Sequence, residues 1–154
     1  MVAAKSSINF YIAVMECFDP VRKKAVSATP EERVRQNIVA WLLQTIKVPS
    51  HLIEVEFGLS LIQKGNMDRV DILVPGFRAG RSLKEPWLLV ECKQSCGSSL
   101  QNLEVQVNKY LRVVRPQYIM LALGSDWRFL SKDGDGMCYL SVPNLPRYPD
   151  TQSK

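Results

Sequence analysis

Val70-Asp71-Ile72-Leu73-Val74, then Trp87-Leu88-Leu89-Val90-Glu91-Cys92-Lys93 after a basic loop, are the stretches that decide how this chain folds. Both read as short apolar strands. A strand sends alternate side chains to opposite faces, so Leu89, Glu91 and Lys93 share one face while Val90 and Cys92 share the other. A carboxylate and an amine closing an otherwise apolar strand are costly to bury. They persist when paired with each other, or when a metal or phosphate joins them. Asp71 interrupts the first strand in the same way. Two strands, each carrying an acid where its apolar face should continue, predict one shared polar site.

The neighbouring sequence supplies the scaffold. Upstream, residues 52–62 alternate and predict a further strand with Glu54 and Glu56 on one face, and Gly65-Asn66 turns it into residues 68–75. The loop between the two quoted strands carries Arg78, Arg81 and Lys84 with two glycines, a surface loop whose charges suit a polyanion's backbone. Further back, Thr29-Pro30-Glu31-Glu32 is a helix start: threonine as cap, proline in the first turn, glutamate three residues after the cap. Val34, Ile38, Trp41 and Leu42 follow at helical spacing, which predicts an amphipathic helix over 30–47 stopped by Pro49. Glu32 thus has two open readings, as a capping-box acid or as a further acid facing the polar site. Residues 7–18 read as a leading strand or arm broken at Asp19-Pro20, and Arg22, Lys23 and Lys24 as a solvated basic loop or, alternatively, a phosphate contact.

Downstream, Ser98 or Ser99 caps a second predicted helix, 100–115, with Leu103, Val107, Tyr110, Leu111 and Val114 as its buried stripe. Gln106 and Tyr110 lie one turn apart on it. Pro116 ends it, and residues 117–124 form an apolar strand of the kind found inside a sheet. Two short strands joined by Lys132-Asp133-Gly134-Asp135-Gly136 predict a hairpin, and 143–154 read as a loose terminus. His51 stands at a helix-to-strand junction and receives no chemical role. The chain therefore reads as one α/β domain: a core over about 29–124, an N-terminal arm over 1–28, and a C-terminal hairpin and tail over 125–154.

With 154 residues, 46% hydrophobic and 23% charged, the composition is that of an ordinary globular domain. A net charge of +5 and a pI near 9.1 favour a polyanionic partner. No apolar run is long enough to span a membrane. Four cysteines without a Cys-x-x-Cys pair, beside a single histidine, argue against zinc and read as reduced thiols of a cytoplasmic protein. There is no phosphate-binding GxxxxGK[ST] loop, hence no ATP-driven motor in this sequence.

The αβββαβ order, Asp71 on the second strand, Glu91-x-Lys93 on the third and Gln106-x-x-x-Tyr110 on the next helix resemble the PD-(D/E)XK nuclease superfamily. More narrowly, residues 28–36 (ATPEERVRQ), 69–74 (RVDILV), 88–93 (LLVECK) and 106–114 (QVNKYLRVV) resemble the N-terminal nuclease domain of type I restriction enzyme R subunits. The lead from Phe18 to Gln36 resembles the small stand-alone bacterial form, and the likeness extends to about Gly124. Val70 replaces the proline of the superfamily's name, at a position that carries no ligand.

The resemblance implies a restriction-endonuclease-like fold, a mixed central sheet flanked by helices, and metal-dependent hydrolysis of DNA phosphodiester bonds. It implies Mg²⁺, with Mn²⁺ as a substitute, held by Asp71, Glu91 and the backbone carbonyl of Cys92, with Glu32 as a further acid near the metal. Lys93 would orient the attacking water, Gln106 would support that lysine or the DNA backbone, and Tyr110 would brace the helix against the site. Arg78, Arg81, Lys84 and Lys109 are the expected DNA contacts. Implied partners are DNA, a second copy of the chain, and a helicase motor or targeting protein, with no membrane. The alternative is a non-catalytic DNA-binding or assembly module on the same fold. A mere intra-strand ion pair between Glu91 and Lys93 would leave Asp71 unexplained. The nuclease reading requires both carboxylates on one side of the sheet, within reach of one ion, with Lys93 alongside.

Overall fold

The computed structural model of the chain describes residues 15–76 and 83–149. Arg78, Arg81, the start of the arm and the end of the tail lie outside the described residues. The elements are β1 (Glu16–Asp19), β2 (Lys24–Ser27), α1 (Pro30–Gln44), β3 (Glu54–Gly58), β4 (Arg69–Val74), β5 (Leu88–Lys93), α2 (Leu100–Tyr110), β6 (Tyr118–Leu123), β7 (Asp126–Lys132) and β8 (Tyr139–Val142). The αβββαβ core and the C-terminal hairpin are present as expected. Strands β3 to β8 make one six-stranded sheet in sequence order, and β1 and β2 pair separately. Every neighbouring pair in the large sheet is antiparallel except β5 and β6. Those two are parallel because α2 carries the chain back between them.

Each helix covers a separate core. On one side Val34, Ile38, Val39 and Leu42 of α1 pack against Ile72, Val74, Val90, Cys92 and Met120. On the other, Leu103, Val107 and Tyr110 of α2 pack against Leu73, Leu89, Ile119 and Leu121. Sheet alternation holds along β5, as its sequence predicts: Leu89 faces α2, and Val90 and Cys92 face α1. Alternation fails at one place. Val55 and its partner Ile72 pack on the α1 side, yet Phe57 and its partner Val70 pack on the α2 side. Between those pairs the register sets Glu56 opposite Asp71. Glu56 adopts a φ of 54°, in the left-handed region where a side chain costs about 1–2 kcal/mol. Both strands therefore change faces at Asp71.

Several boundaries differ from the sequence-based expectation. Helix α1 ends at Gln44 and not at 47, because Lys47 turns left-handed (φ 64°) and Val48 N–H bonds back to the Leu42 carbonyl. This left-handed stop precedes Pro49. Helix α2 likewise ends at Tyr110, followed by tightened turns that still bury Val114. The strand predicted over 52–62 shrinks to Glu54–Gly58 between two 3-10 turns. The described part of the N-terminal arm is a hairpin turned at Asp19–Lys24, because β2 pairs with β1. The tail is not loose over 143–149: Leu145 and Tyr148 are buried in the α1-side core. Tyr148 meets Trp87 edge to face at 4.8 Å, and its hydroxyl donates to the Pro75 carbonyl. Among the described residues, no helix is long and apolar enough to cross a membrane.

Candidate metal and phosphate site

Strands β4 and β5 run antiparallel, with Ile72 opposite Val90, so the next step of the register brings Asp71 opposite Glu91. Asp71 Oδ2 accepts a hydrogen bond from the Cys92 backbone N–H at 2.8 Å. That donor lies on the neighbouring strand, which leaves the two acids side by side at the end of β5. Glu91 is only 3% exposed, and its Oε2 is buried without a hydrogen-bond partner. Burial, and then the charge of Asp71, push the Glu91 carboxyl up to about 8. An acid in that condition either holds a proton or awaits a cation.

A cleft of about 430 Å³ opens over these acids on the α2 side, lined by Arg69, Asp71, Glu91, Lys93, Asn102 and Gln106 among others. Lys93 stands at its mouth, half-buried, with Nζ 3.5 Å from Glu31 at the start of α1. Gln106 donates through Nε2 to the Tyr110 hydroxyl at 2.9 Å, and that hydroxyl donates to the Arg69 carbonyl at 2.7 Å. Tyr110 is buried and also within hydrogen-bonding reach of Glu91. A single hydroxyl proton serves one acceptor at a time, which leaves Glu91 under-satisfied. Burial raises the Tyr110 hydroxyl above its ordinary range, so it stays a neutral donor. Tyr110 thus both fills the core and ties α2 to β4.

The other side of Asp71 is crowded with ion pairs. Its Oδ1 accepts from Arg35 Nη2 at 3.1 Å, and Arg35 Nη1 donates to Glu32 Oε2. Glu32 Oε1 accepts from Arg22 Nη2 and from Gln36. Arg22 Nε in turn donates to Asp19 Oδ2, whose other oxygen takes the backbone N–H groups of Val21 and Arg22. Burial acts to raise the fully buried Asp19 carboxyl, but these hydrogen bonds outweigh it and hold the carboxyl below its usual range. Burial likewise works against the Arg35 charge, and Asp71 and Glu32 more than restore it. Glu56 joins at 3.6 Å from Arg22 and 3.7 Å from Arg35.

The structure therefore brings Asp71, Glu91, Lys93, Gln106 and Tyr110 to one cleft, with both acids on one side of the sheet. Glu32 stands behind Asp71, its two oxygens taken by arginines and Gln36. The Thr29 hydroxyl does accept from the Glu32 N–H at 3.1 Å, so the cap forms while the carboxylate serves the network. Cys92 contributes backbone only. Its thiol is buried on the α1 side and pushed above the ordinary range by burial, and then by Asp71. Lys84 and Lys109 are exposed and line no part of the cleft. Among the described residues no three His, Cys, Asp or Glu side chains form a ready-made metal cage. What converges is a pair.

Sequence reasoning missed Arg35, Arg22, Asp19 and Arg69. Arg35 was accessible, lying three residues after Glu32 and hence on the same helix face. Arg22 was not, since the solvated loop expected there is a turn folded onto Glu32 across a tertiary contact. Arg69 precedes Asp71 by two and lines the cleft, but no local pattern sets it apart.

The family model for the type I restriction enzyme R protein N terminus matches residues 30–146. A search of curated proteins and a search of solved structures each found no match.

Proposed function

The chain belongs to the type I restriction enzyme R protein N-terminal family, and from that premise we propose that it is a metal-dependent deoxyribonuclease. The observation that carries this reading is the orphaned Oε2 of buried Glu91, in a cleft shared with Asp71 and Lys93. The donor set fits Mg²⁺ or Mn²⁺, which take hard oxygens and commonly rest on one or two carboxylates, with waters and substrate phosphate completing the shell. Asp71, Glu91 and the Cys92 carbonyl would hold the ion. When bound, it supplies charge stabilisation at the phosphate and a more acidic water.

The chain's own residues do the rest. Lys93 presents an ammonium beside the acids, where it orients the attacking water and offsets charge developing on the phosphate. Its contact with Glu31 keeps that ammonium at the cleft mouth. Gln106 and Tyr110 hold the floor, and Arg69 adds a cation on the path of a nucleic-acid backbone. DNA is the proposed substrate, with Arg78, Arg81, Lys84 and Lys109 as outlying phosphate contacts. Cytoplasmic action, a second copy for cutting both strands, and a separate motor or targeting protein belong to the same proposal.

Supercoiled plasmid incubated with Mg²⁺, Mn²⁺ or EDTA tests the reading. Wild-type protein nicks or linearises it only with metal, and Lys93→Ala lowers the rate about 10²–10⁴-fold. Equal cleavage by both proteins would remove Lys93 from the site. One observation favours the competing binding-module reading: Asp71 Oδ1 is already bonded to Arg35. That module would show salt-sensitive DNA binding and no metal-dependent cleavage.

A further inference from the structure

We infer that Arg35 is a positioning residue for Asp71, and that Glu32 acts on the site by anchoring Arg35 and not as a metal ligand. The inference rests on the reading of Asp71 and Glu91 as the ligands. Its basis is a continuous set of contacts. Asp71 is held at both oxygens, Oδ2 by the Cys92 N–H and Oδ1 by Arg35 Nη2. A carboxylate fixed at both ends cannot rotate, so its remaining lone pairs keep one direction toward the cleft. Arg35 is 6% exposed and cannot swing into solvent without leaving its core position.

The guanidinium fork explains why this residue is an arginine. One Nη bonds Glu32 while the other bonds Asp71, a planar bridge that an ammonium on a flexible stem cannot reproduce. Glu32 is in turn fixed from behind by Arg22, and Arg22 by Asp19 in the β1–β2 turn. Glu32 Oε1 already accepts from Arg22 and Gln36 and Oε2 from Arg35, and Glu32 lines no part of the cleft, so its carboxylate is committed away from a cation held there. The N-terminal hairpin is thus linked through four ion pairs to the acid that faces the cleft.

The test is Mn²⁺ titration, followed by the signal of free Mn²⁺, on wild type, Arg35→Met, Arg35→Lys, Glu32→Gln and Glu32→Gln combined with Arg35→Met. Each single variant is expected to weaken Mn²⁺ binding about tenfold or more, the range for groups that orient a ligand. Arg35→Lys keeps the charge but not the fork, so it weakens binding too and replaces Arg35→Met if that variant fails to fold. In the Arg35→Met background, Glu32→Gln should change affinity by no more than about twofold. Undiminished Mn²⁺ affinity in a folded Arg35 variant would overturn the inference. A further tenfold-scale loss from Glu32→Gln in that background would do the same, by making Glu32 a ligand.

Wild-type protein that takes up no Mn²⁺ would sink the nuclease reading and leave Arg35 to be decided in EDTA. There, thermal midpoints of wild type, Arg35→Lys, Asp71→Asn and the double variant form a cycle. A double variant that loses less than the sum of the singles supports the hold on Asp71; strict additivity overturns it.

Discussion

Asp71 lies between two regions that treat charge in opposite ways. Behind it, Asp19, Arg22, Glu32 and Arg35 alternate in sign, and nearly every polar atom has a partner, Arg35 Nε being the exception. In front, Glu91 is just as buried but keeps an oxygen with no partner, beside a second carboxylate and under an open cleft. Saturated charges hold a fold in place; an unsaturated one is held ready for something else. The difference teaches that burial of acids does not by itself mark a binding site. The site is where the pairing stops.

The largest expected effect would break the network. Arg35→Met leaves Asp71 and Glu32 facing each other without their shared cation, and should cost about 3–5 kcal/mol in urea unfolding. A loss near 1 kcal/mol would mean that the network is no more than surface pairing. Across the cleft the same kind of change should have the opposite sign. Glu91 folds with its pKa raised from 4.5 to about 8, so the folded state binds its proton more tightly than the unfolded chain does. That contribution is fully present below about 4.5 and is lost as pH rises through about 8. In EDTA, Glu91→Gln should therefore stabilise the protein by about 1–3 kcal/mol at pH 8 and flatten its pH dependence. The same variant should abolish metal-dependent cleavage. Destabilisation at pH 8 would place Glu91 with the saturated group. The smallest effect lies at the cleft floor: Tyr110→Phe keeps the packing and loses the bond to the Arg69 carbonyl, about 1 kcal/mol by thermal or urea unfolding.

The cleft was legible in the sequence because its acids interrupt apolar strands, where local alternation makes them conspicuous. Asp71 and Glu91 each break a run whose neighbours all enter a core, and Gln106 and Tyr110 share a face by simple helical spacing. The network was legible only in part. Glu32 stood out as a cap residue, but its actual partners include Arg22, ten positions away in a turn that read as solvated. The local break in alternation at Glu56 and Asp71 was invisible for a related reason. Parity assumes an undistorted strand, and a left-handed residue inside one is a choice made by tertiary packing. Element ends suffered similarly, since Lys47 stops α1 through backbone geometry that its sequence does not advertise.

The seven residues after β8 change where this domain ends. Secondary structure alone would draw its boundary after Val142. Packing carries it at least to Tyr148, whose backbone N–H bonds the Ile46 carbonyl and whose ring covers Trp87. Removing residues 143–149 would take away no regular element and would still uncover the end of α1 and the root of β5. That segment is sequence without secondary structure, and it functions as core.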